Sequence, residues 1–342
     1  MVEPLFRQSF LYDALALDKD VHPGQMQLSS GAYVNLVGRG LVEVIPAEIT
    51  EETRHILLSA GIHGDETAPM ELLDQLLADI LNETLPVKEH CLFVLCHPEA
   101  TAQHVRYIDE NLNRLFNKSQ QKPTKEIRLA QKLKQVAQHF FESAPESQRW
   151  HLDMHSSIRR SQHNTFAVSP KVKKPTRSRE LLSFLQKGAV EAVLLANAPS
   201  STFSWYSAEH FGAQALTVEL GRVAPLGHNN LSELETFELA LRGLISRELN
   251  DLDEQSIATY RVTQTIKRMS EDFGFNFAHD VENFTTFEHG QVLGHDGDKL
   301  LFAKSDNEAV VFANENVAIG HRAALMVCKV ATRYEEDQIV YD

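Results

Sequence analysis

Cysteine is scarce in this chain of 342 residues: there are three, Cys91, Cys96 and Cys328. They form no Cys-x-x-Cys pair, and an odd count completes no disulfide framework. A small disulfide-stapled scaffold is therefore excluded, and buried structural thiols in a reducing, cytoplasmic setting are expected. Long apolar runs are missing too: none approaches the roughly 20 residues that span a bilayer. The opening, Met1-Val2-Glu3-Pro4-Leu5-Phe6-Arg7, lacks a basic stretch followed by an apolar one, so no signal peptide is expected. Positive charge is in deficit, with 33 Lys and Arg against 47 Asp and Glu, for a net charge of -14. That balance argues against a nucleic-acid partner or an anionic membrane surface. It still permits an anionic small substrate, because salt screens distant charge over about 10 Å and local arginines then dominate a pocket. There is no internal repeat, no low-complexity tract and no Gly-x-Gly-x-x-Gly or Walker-type loop for a phosphate. No patch points to an oligomeric state.

What is present is alternation. Strand-like apolar runs occur at 54–60, 91–97, 150–154, 192–197 and 215–220. Helical patterns run from 66 to about 80 and over 124–141, the latter with Thr124 as N-cap. Residues 232–249 read as one long helix with a Ser232/Glu235 capping box. Strands alternating with helices predict an α/β fold with a mostly parallel or mixed central sheet covered on both faces. From about 258 the pattern changes to short β-like runs punctuated by Gly, Asn and Asp, with Asp296-Gly297 as a hairpin signal. A boundary near Asp251-Leu252-Asp253 is expected, dividing a large α/β domain, 1–250, from a small mainly-β domain, 251–342.

Three His-x-x-Glu pairs compete as metal sites: His63/Glu66, His139/Glu142 and His279/Glu282. The second falls near the end of an amphipathic helix and the third in the β-rich tail with no partner motif. The first follows directly on a strand, within Gly61-Ile62-His63-Gly64-Asp65-Glu66, and opens a helix. In open α/β sheets, ligands gather at the carboxyl ends of strands. The plain alternative is a polar strand-to-helix loop with Glu66 favouring the helix N-terminus. A third ligand is sought in Trp150-His151-Leu152-Asp153-Met154-His155-Ser156. On a strand, His151 and His155 lie about 13 Å apart and cannot share one ion. His155, at the strand's carboxyl end, is chosen. Asp153 is a candidate to orient a ligand imidazole, and His151 reads as a core histidine. Two histidines and one glutamate leave coordination open for water, the catalytic pattern for Zn2+.

A water activated by a metal needs a base, and Leu216-Thr217-Val218-Glu219-Leu220-Gly221 puts a carboxylate near the end of an apolar strand. Burying such a charge unpaired costs several kcal/mol, so a functional reason is sought. Otherwise Glu219 reaches solvent or pairs with Arg222. The stretch Arg106-Tyr107-Ile108-Asp109-Glu110-Asn111-Leu112-Asn113-Arg114-Leu115-Phe116 offers planar guanidinium forks for carboxylates or a developing oxyanion. Taken alone it is a surface loop with ion pairs. Arg159 and Arg160, just past His155, are equally open.

In this order, over most of residues 50–225, these segments resemble the succinylglutamate desuccinylase and aspartoacylase family of zinc enzymes, related to metallocarboxypeptidases. The resemblance rests on the Gly61–Glu66 turn, Arg106 to Asp109 with Asn111 to Phe116, Asp153-Met154-His155 and Val218-Glu219-Leu220-Gly221. It implies one zinc per chain on His63, Glu66 and His155, with Glu219 as general base. It implies Arg106 polarising the scissile carbonyl, and Asn113 with Arg114 on the substrate's α-carboxylate. A carboxypeptidase-like sheet and a small C-terminal β domain belong to the same pattern. Within the family, Ser156-Ser157-Ile158-Arg159 is similar to the desuccinylase form, which releases succinate and glutamate from N-succinylglutamate at the end of the arginine succinyltransferase route. Arg159 is then the candidate for the succinyl carboxylate, with Arg160 next. Cys96-His97-Pro98 and Met154 depart from the usual Asn-Pro and Leu. An aspartoacylase-like or other N-acyl amino acid deacylase, a peptide carboxypeptidase and a non-catalytic zinc-binding module are the alternatives.

Overall fold

The structure, a computed structural model, describes residues 4–117 and 123–341. Residues 1–3, where the reading for a signal peptide begins, lie outside them. Among the described residues, no helix is long and apolar enough to cross a membrane.

The runs HILLSA and HCLFVL become the strands His55–Ala60 and His90–Leu95, buried at every position. A strand buried on both faces needs cover on both. Successive side chains point to opposite faces, so each strand feeds two cores. Ile56, Leu58 and Ala60 join one, with the helices Ala68–Leu81, Arg179–Lys187 and Glu235–Ser246. Leu57, Leu92 and Val94 join the other, with Lys125–Glu142 and Phe203 of the helix Phe203–Phe211. Thr124 caps Lys125–Glu142 as expected, its hydroxyl accepting the Ile127 amide at 3.2 Å.

The sheet is mixed and has 13 strands. At its centre His90–Leu95, His55–Ala60, Arg149–Ser157 and Gln214–Arg222 run parallel. Three antiparallel strands, Gly24–Gln27, Tyr33–Gly38 and Leu41–Ile45, extend one side. On the other side Thr165–Ser169 runs antiparallel to Gln214–Arg222, followed by Ala192–Leu195. These first three strands and Thr165–Ser169 are not called from the sequence. Their short, half-buried patterns look like loop. The expected helix over 232–249 is also shorter. Leu231–Leu234 is a 3-10 turn, and the helix proper is Glu235–Ser246. The Ser232/Glu235 capping box does not form, because the Ser232 hydroxyl donates to Asn230 Oδ1 at 2.7 Å instead.

The tail is β throughout, as expected, and it continues the large sheet. Ala258–Lys267 pairs parallel with Ala192–Leu195, then Arg322–Lys329, Glu308–Val311 and Thr285–Phe287 follow. The strands Val292–Asp296 and Lys299–Phe302 turn tightly at Gly297, φ 58°. The tail reaches back to the end of the strand Arg149–Ser157 through Asn283, which is 2% exposed. Its Oδ1 accepts the Phe312 amide at 2.9 Å and its Nδ2 donates to Ser157 Oγ at 3.3 Å.

Asn283→Ala strands a buried amide and hydroxyl, and is expected to lower stability by about 1–3 kcal/mol. Urea unfolding of the variant checks this, and an unchanged midpoint would show that the strand pairing alone holds the tail in place.

Candidate metal centre

Three neighbouring parallel strands end at the same edge of the sheet. Ala60 pairs with Met154, and His155 pairs with Glu219. Parallel strands share a direction, so the residues just beyond Ala60, at His155 and at Glu219 converge. The turn after Ala60 is made possible by two glycines. Gly61 has φ +72°, where a side chain would strain the backbone. A Cβ on Gly64 would lie 2.4 Å from the backbone at Ala100 and Thr101, so only glycine lets the 97–106 segment approach. The Gly64 amide donates to the Arg106 carbonyl at 3.1 Å, which ties Arg106 to the turn.

Glu66 lies between two imidazoles. His63 Nδ1 is 2.9 Å from its Oε1, and His155 Nδ1 is 2.7 Å from its Oε2. The far nitrogen of each ring is fixed: His63 Nε2 donates to Asn111 Oδ1 at 3.2 Å, and His155 Nε2 donates to Asp153 Oδ2 at 3.2 Å. Both rings therefore present Nδ1 inward. Asp153 is steadied in turn by Ser59, whose hydroxyl donates to its Oδ1 at 2.6 Å. His151 is fully occupied elsewhere, with Ser59 Oγ at 2.9 Å and Ser207 Oγ at 2.8 Å, as a core histidine should be. The competing His139 is an exposed residue 3.9 Å from Glu142. At the third pair, the His279 carbonyl is engaged by Arg159 and Glu282 by Arg160.

Burial would raise the Glu66 carboxyl, but His63 and His155 hold it well below its ordinary value. Burial would likewise lower His155, yet Asp153 and Glu66 hold it well above. Burial pushes His63 down, keeping it a neutral donor. One carboxylate and two inward imidazole nitrogens, all within 4.8 Å of one another, could hold a metal ion. The donor types, their pinned second nitrogens and their burial fit a catalytic zinc bound at about 2.0–2.2 Å with positions left open. Glu219 stands beside this group, 7% exposed. Burial pushes its carboxyl up to about 7, against the pull of His155. A carboxyl poised there can take and return a proton near neutral pH.

Arg106 reaches over the group, Nη1 at 2.7 Å from Glu66 Oε1. Its loop is anchored by Glu126, fully buried, which accepts from the Ile108 and Asp109 amides and pairs with His97 Nε2 at 3.1 Å. Asn113 is buried, its Oδ1 accepting the Phe203 amide at 3.1 Å. Arg114 donates to the Asn113 carbonyl at 3.1 Å, and burial pushes its guanidinium down. Arg159 is half-buried and donates to the His279 carbonyl. Arg160 is exposed, 3.4 Å from Glu282. Two contributors are not singled out from the sequence: Asn111 as orienter of His63 and Glu126 as anchor of the loop. Only Asn111 lies in a motif that could have drawn attention to it.

Residues 52–245 match the family model described as Succinylglutamate desuccinylase/Aspartoacylase catalytic domain, and residues 255–330 match the AstE/AspA barrel-sandwich hybrid domain. The chain is 54% identical to the succinylglutamate desuccinylase of Vibrio cholerae over 342 residues, 100% of each. It is 39% identical to that of Idiomarina loihiensis, over 90% of this chain and 91% of the relative. The crystal structure of the Vibrio cholerae protein superposes with a TM-score of 0.97 at 54% identity, covering 99% of this chain and 100% of that one. Murine aminoacylase 3 shares the fold at 18% identity, with a TM-score of 0.56 over 86% of this chain and 100% of that one.

His63→Ala and His155→Ala should each abolish stoichiometric metal binding, and Asn111→Ala should weaken it by roughly 10–100-fold while leaving the ligands in place. Elemental analysis and competition with a chelator read both. Full occupancy in the two histidine variants would move the ion elsewhere.

Proposed function

From the premise that the chain belongs to the succinylglutamate desuccinylase and aspartoacylase family, we propose that it is a zinc hydrolase that cleaves N-succinyl-L-glutamate to succinate and L-glutamate. The buried Glu219 beside the His63, Glu66 and His155 group is the observation that carries the chemistry. The full-length likeness to relatives bearing that enzyme's name supports the choice of substrate. We assign the reaction to the arginine succinyltransferase route in the cytoplasm, a reducing setting that suits three free cysteines. We also divide the chain into a catalytic unit, 1–250, and a small β unit, 251–342, a reading supported by the separate family matches.

His63, Glu66 and His155 would hold the zinc, which when bound polarises the amide carbonyl and makes an attacking water more acidic. Glu219 accepts the proton of that water as its oxygen bonds to the acyl carbon. Arg106 donates to the carbonyl oxygen as negative charge gathers there. The amide C–N bond then breaks, and Glu219 returns the proton to nitrogen, which leaves as the amine of glutamate. Asn113 and Arg114 hold the α-carboxylate so that the scissile bond faces Glu219. Arg159 is assigned to the succinyl carboxylate, for which it must exchange the His279 carbonyl for the substrate.

Glu219→Gln keeps the shape and removes the proton acceptor, so kcat should fall by about 10²–10⁴-fold with metal content and fold unchanged. Turnover is read on N-succinylglutamate beside N-succinylornithine, N-acetylaspartate and a dipeptide. A variant within threefold of the wild type would place the base elsewhere, and faster wild-type turnover of N-acetylaspartate would make the protein an aspartoacylase.

A further inference from the structure

One face of the strand Arg149–Ser157 is polar although it lies in the middle of the sheet. Side chains alternate in direction along a strand, so His151, Asp153 and His155 share that face. His151 and Asp153 are fully buried, and His155 is 2% exposed. The neighbouring strand adds Ser59, which lies opposite Asp153 in the register. The helix Phe203–Phe211 adds Ser207, and both serines are fully buried. Phe203 of the same helix meets the His151 ring edge to face, with 4.6 Å between centroids. Burying polar groups is costly unless all are bonded, and apolar residues of like shape in their place are often neutral or stabilising. Packing alone therefore does not call for this row.

Each member of the row has a partner, and the bonds run in one direction. His155 Nε2 donates to Asp153 Oδ2 at 3.2 Å, and the Ser59 hydroxyl donates to Oδ1 at 2.6 Å. A hydroxyl has one hydrogen, so toward His151 Nε2, 2.9 Å away, Ser59 can only accept. Burial pushes the His151 ring down to about 4, so it is neutral and carries a single N–H. With that hydrogen on Nε2, its Nδ1 accepts from Ser207 Oγ at 2.8 Å. In the other tautomer Nε2 would present a lone pair and compete with Asp153 for the one Ser59 hydrogen. Ser207 holds the ring in the form that does not compete. The chain runs from Ser207 through His151 and Ser59 to Asp153, and Asp153 fixes the ring whose Nδ1 lies 2.7 Å from Glu66 Oε2. In a buried chain of this kind each bond polarises the next.

We propose that His151 is a positioning residue for the metal group, held by Ser207 in the tautomer that leaves the Ser59 hydroxyl to Asp153, so that the helix Phe203–Phe211 helps to set metal affinity through His155. The inference rests on the metal reading of His63, Glu66 and His155 given above. It deepens that reading, since it extends the support of one ligand from Asp153 to two further residues and a helix that touches no ligand.

Three variants test this. His151→Phe fills the space but breaks the chain, His151→Gln keeps a donor and an acceptor, and Ser207→Ala removes only the outermost hydroxyl. Zinc affinity is read by competition with a chromophoric chelator, and stability by urea unfolding. His151→Phe should weaken zinc by about 10-fold, the low end for an outer partner of a ligand imidazole, and Ser207→Ala by about threefold. His151→Gln should recover most of the loss. Added to Asp153→Asn, the His151→Phe change should cost less than about threefold, because both act through the same bond. Nitrogen-15 spectra of the metal-free wild type, labelled at histidine, read the tautomer directly, and His151 should carry its hydrogen on Nε2 throughout the neutral range. Lowered stability with unchanged zinc affinity, full additivity with Asp153→Asn, or a hydrogen on Nδ1 would each overturn the proposal. Should His151→Phe fail to fold, Ser207→Ala and the tautomer still decide. A wild type that takes up no zinc would sink the metal reading itself, whereas zinc uptake that no variant changes would sink the role of His151 alone.

Discussion

A single carboxylate, Glu66, sits 2% exposed between two imidazoles, with a guanidinium 2.7 Å from one of its oxygens. A charge taken that far from water needs partners on every side, and breaking such a cluster typically costs 3–5 kcal/mol. Most of the local structure follows from meeting that need. His63 must come from the turn after one strand and His155 from the end of the next, so the two strands must be parallel neighbours. Arg106 must approach from a third direction, which requires the bare backbone of Gly64. The same arrangement that satisfies Glu66 leaves two imidazole Nδ1 atoms aimed at one point.

The site is graded in charge. Next to the cluster, burial raises Glu219 to about 7, against the pull of His155. Farther out, Arg106 and Arg114 bring positive charge into a chain of net charge -14. The acidic surface repels anions at long range, but screening confines that effect to about 10 Å, and the pocket's own cations govern within it. The tail is part of this design. Asn283 fastens it to Ser157 and to the Phe312 amide.

Much of this was legible in the residues. Apolar runs buried on both faces announced the central strands, and the glycines around His63 announced a sharp turn at a strand end. His155 is chosen over His151 as the one at the strand's carboxyl end, and His151 is hydrogen-bonded to two serines. Less legible were elements whose patterns are weak. The strands Gly24–Gln27 and Thr165–Ser169 are short and partly exposed, and neither shows a clean alternation. Ser232 looked like a cap, but a nearer acceptor, Asn230, took its hydroxyl. Glu126 and Asn111 could not be picked out, because their roles depend on contacts across 18 and 48 positions of chain.

The account stands on one geometric claim, that His63 and His155 offer Nδ1 and Glu66 an oxygen to a common ion. Anomalous diffraction at the zinc absorption edge, on crystals of the metal-loaded protein, examines it directly. The account predicts one peak per chain, about 2.0–2.2 Å from both Nδ1 atoms and a Glu66 oxygen, with Nε2 still bonded to Asn111 and Asp153. A peak bound through Nε2, or one lying away from Glu66, would contradict it.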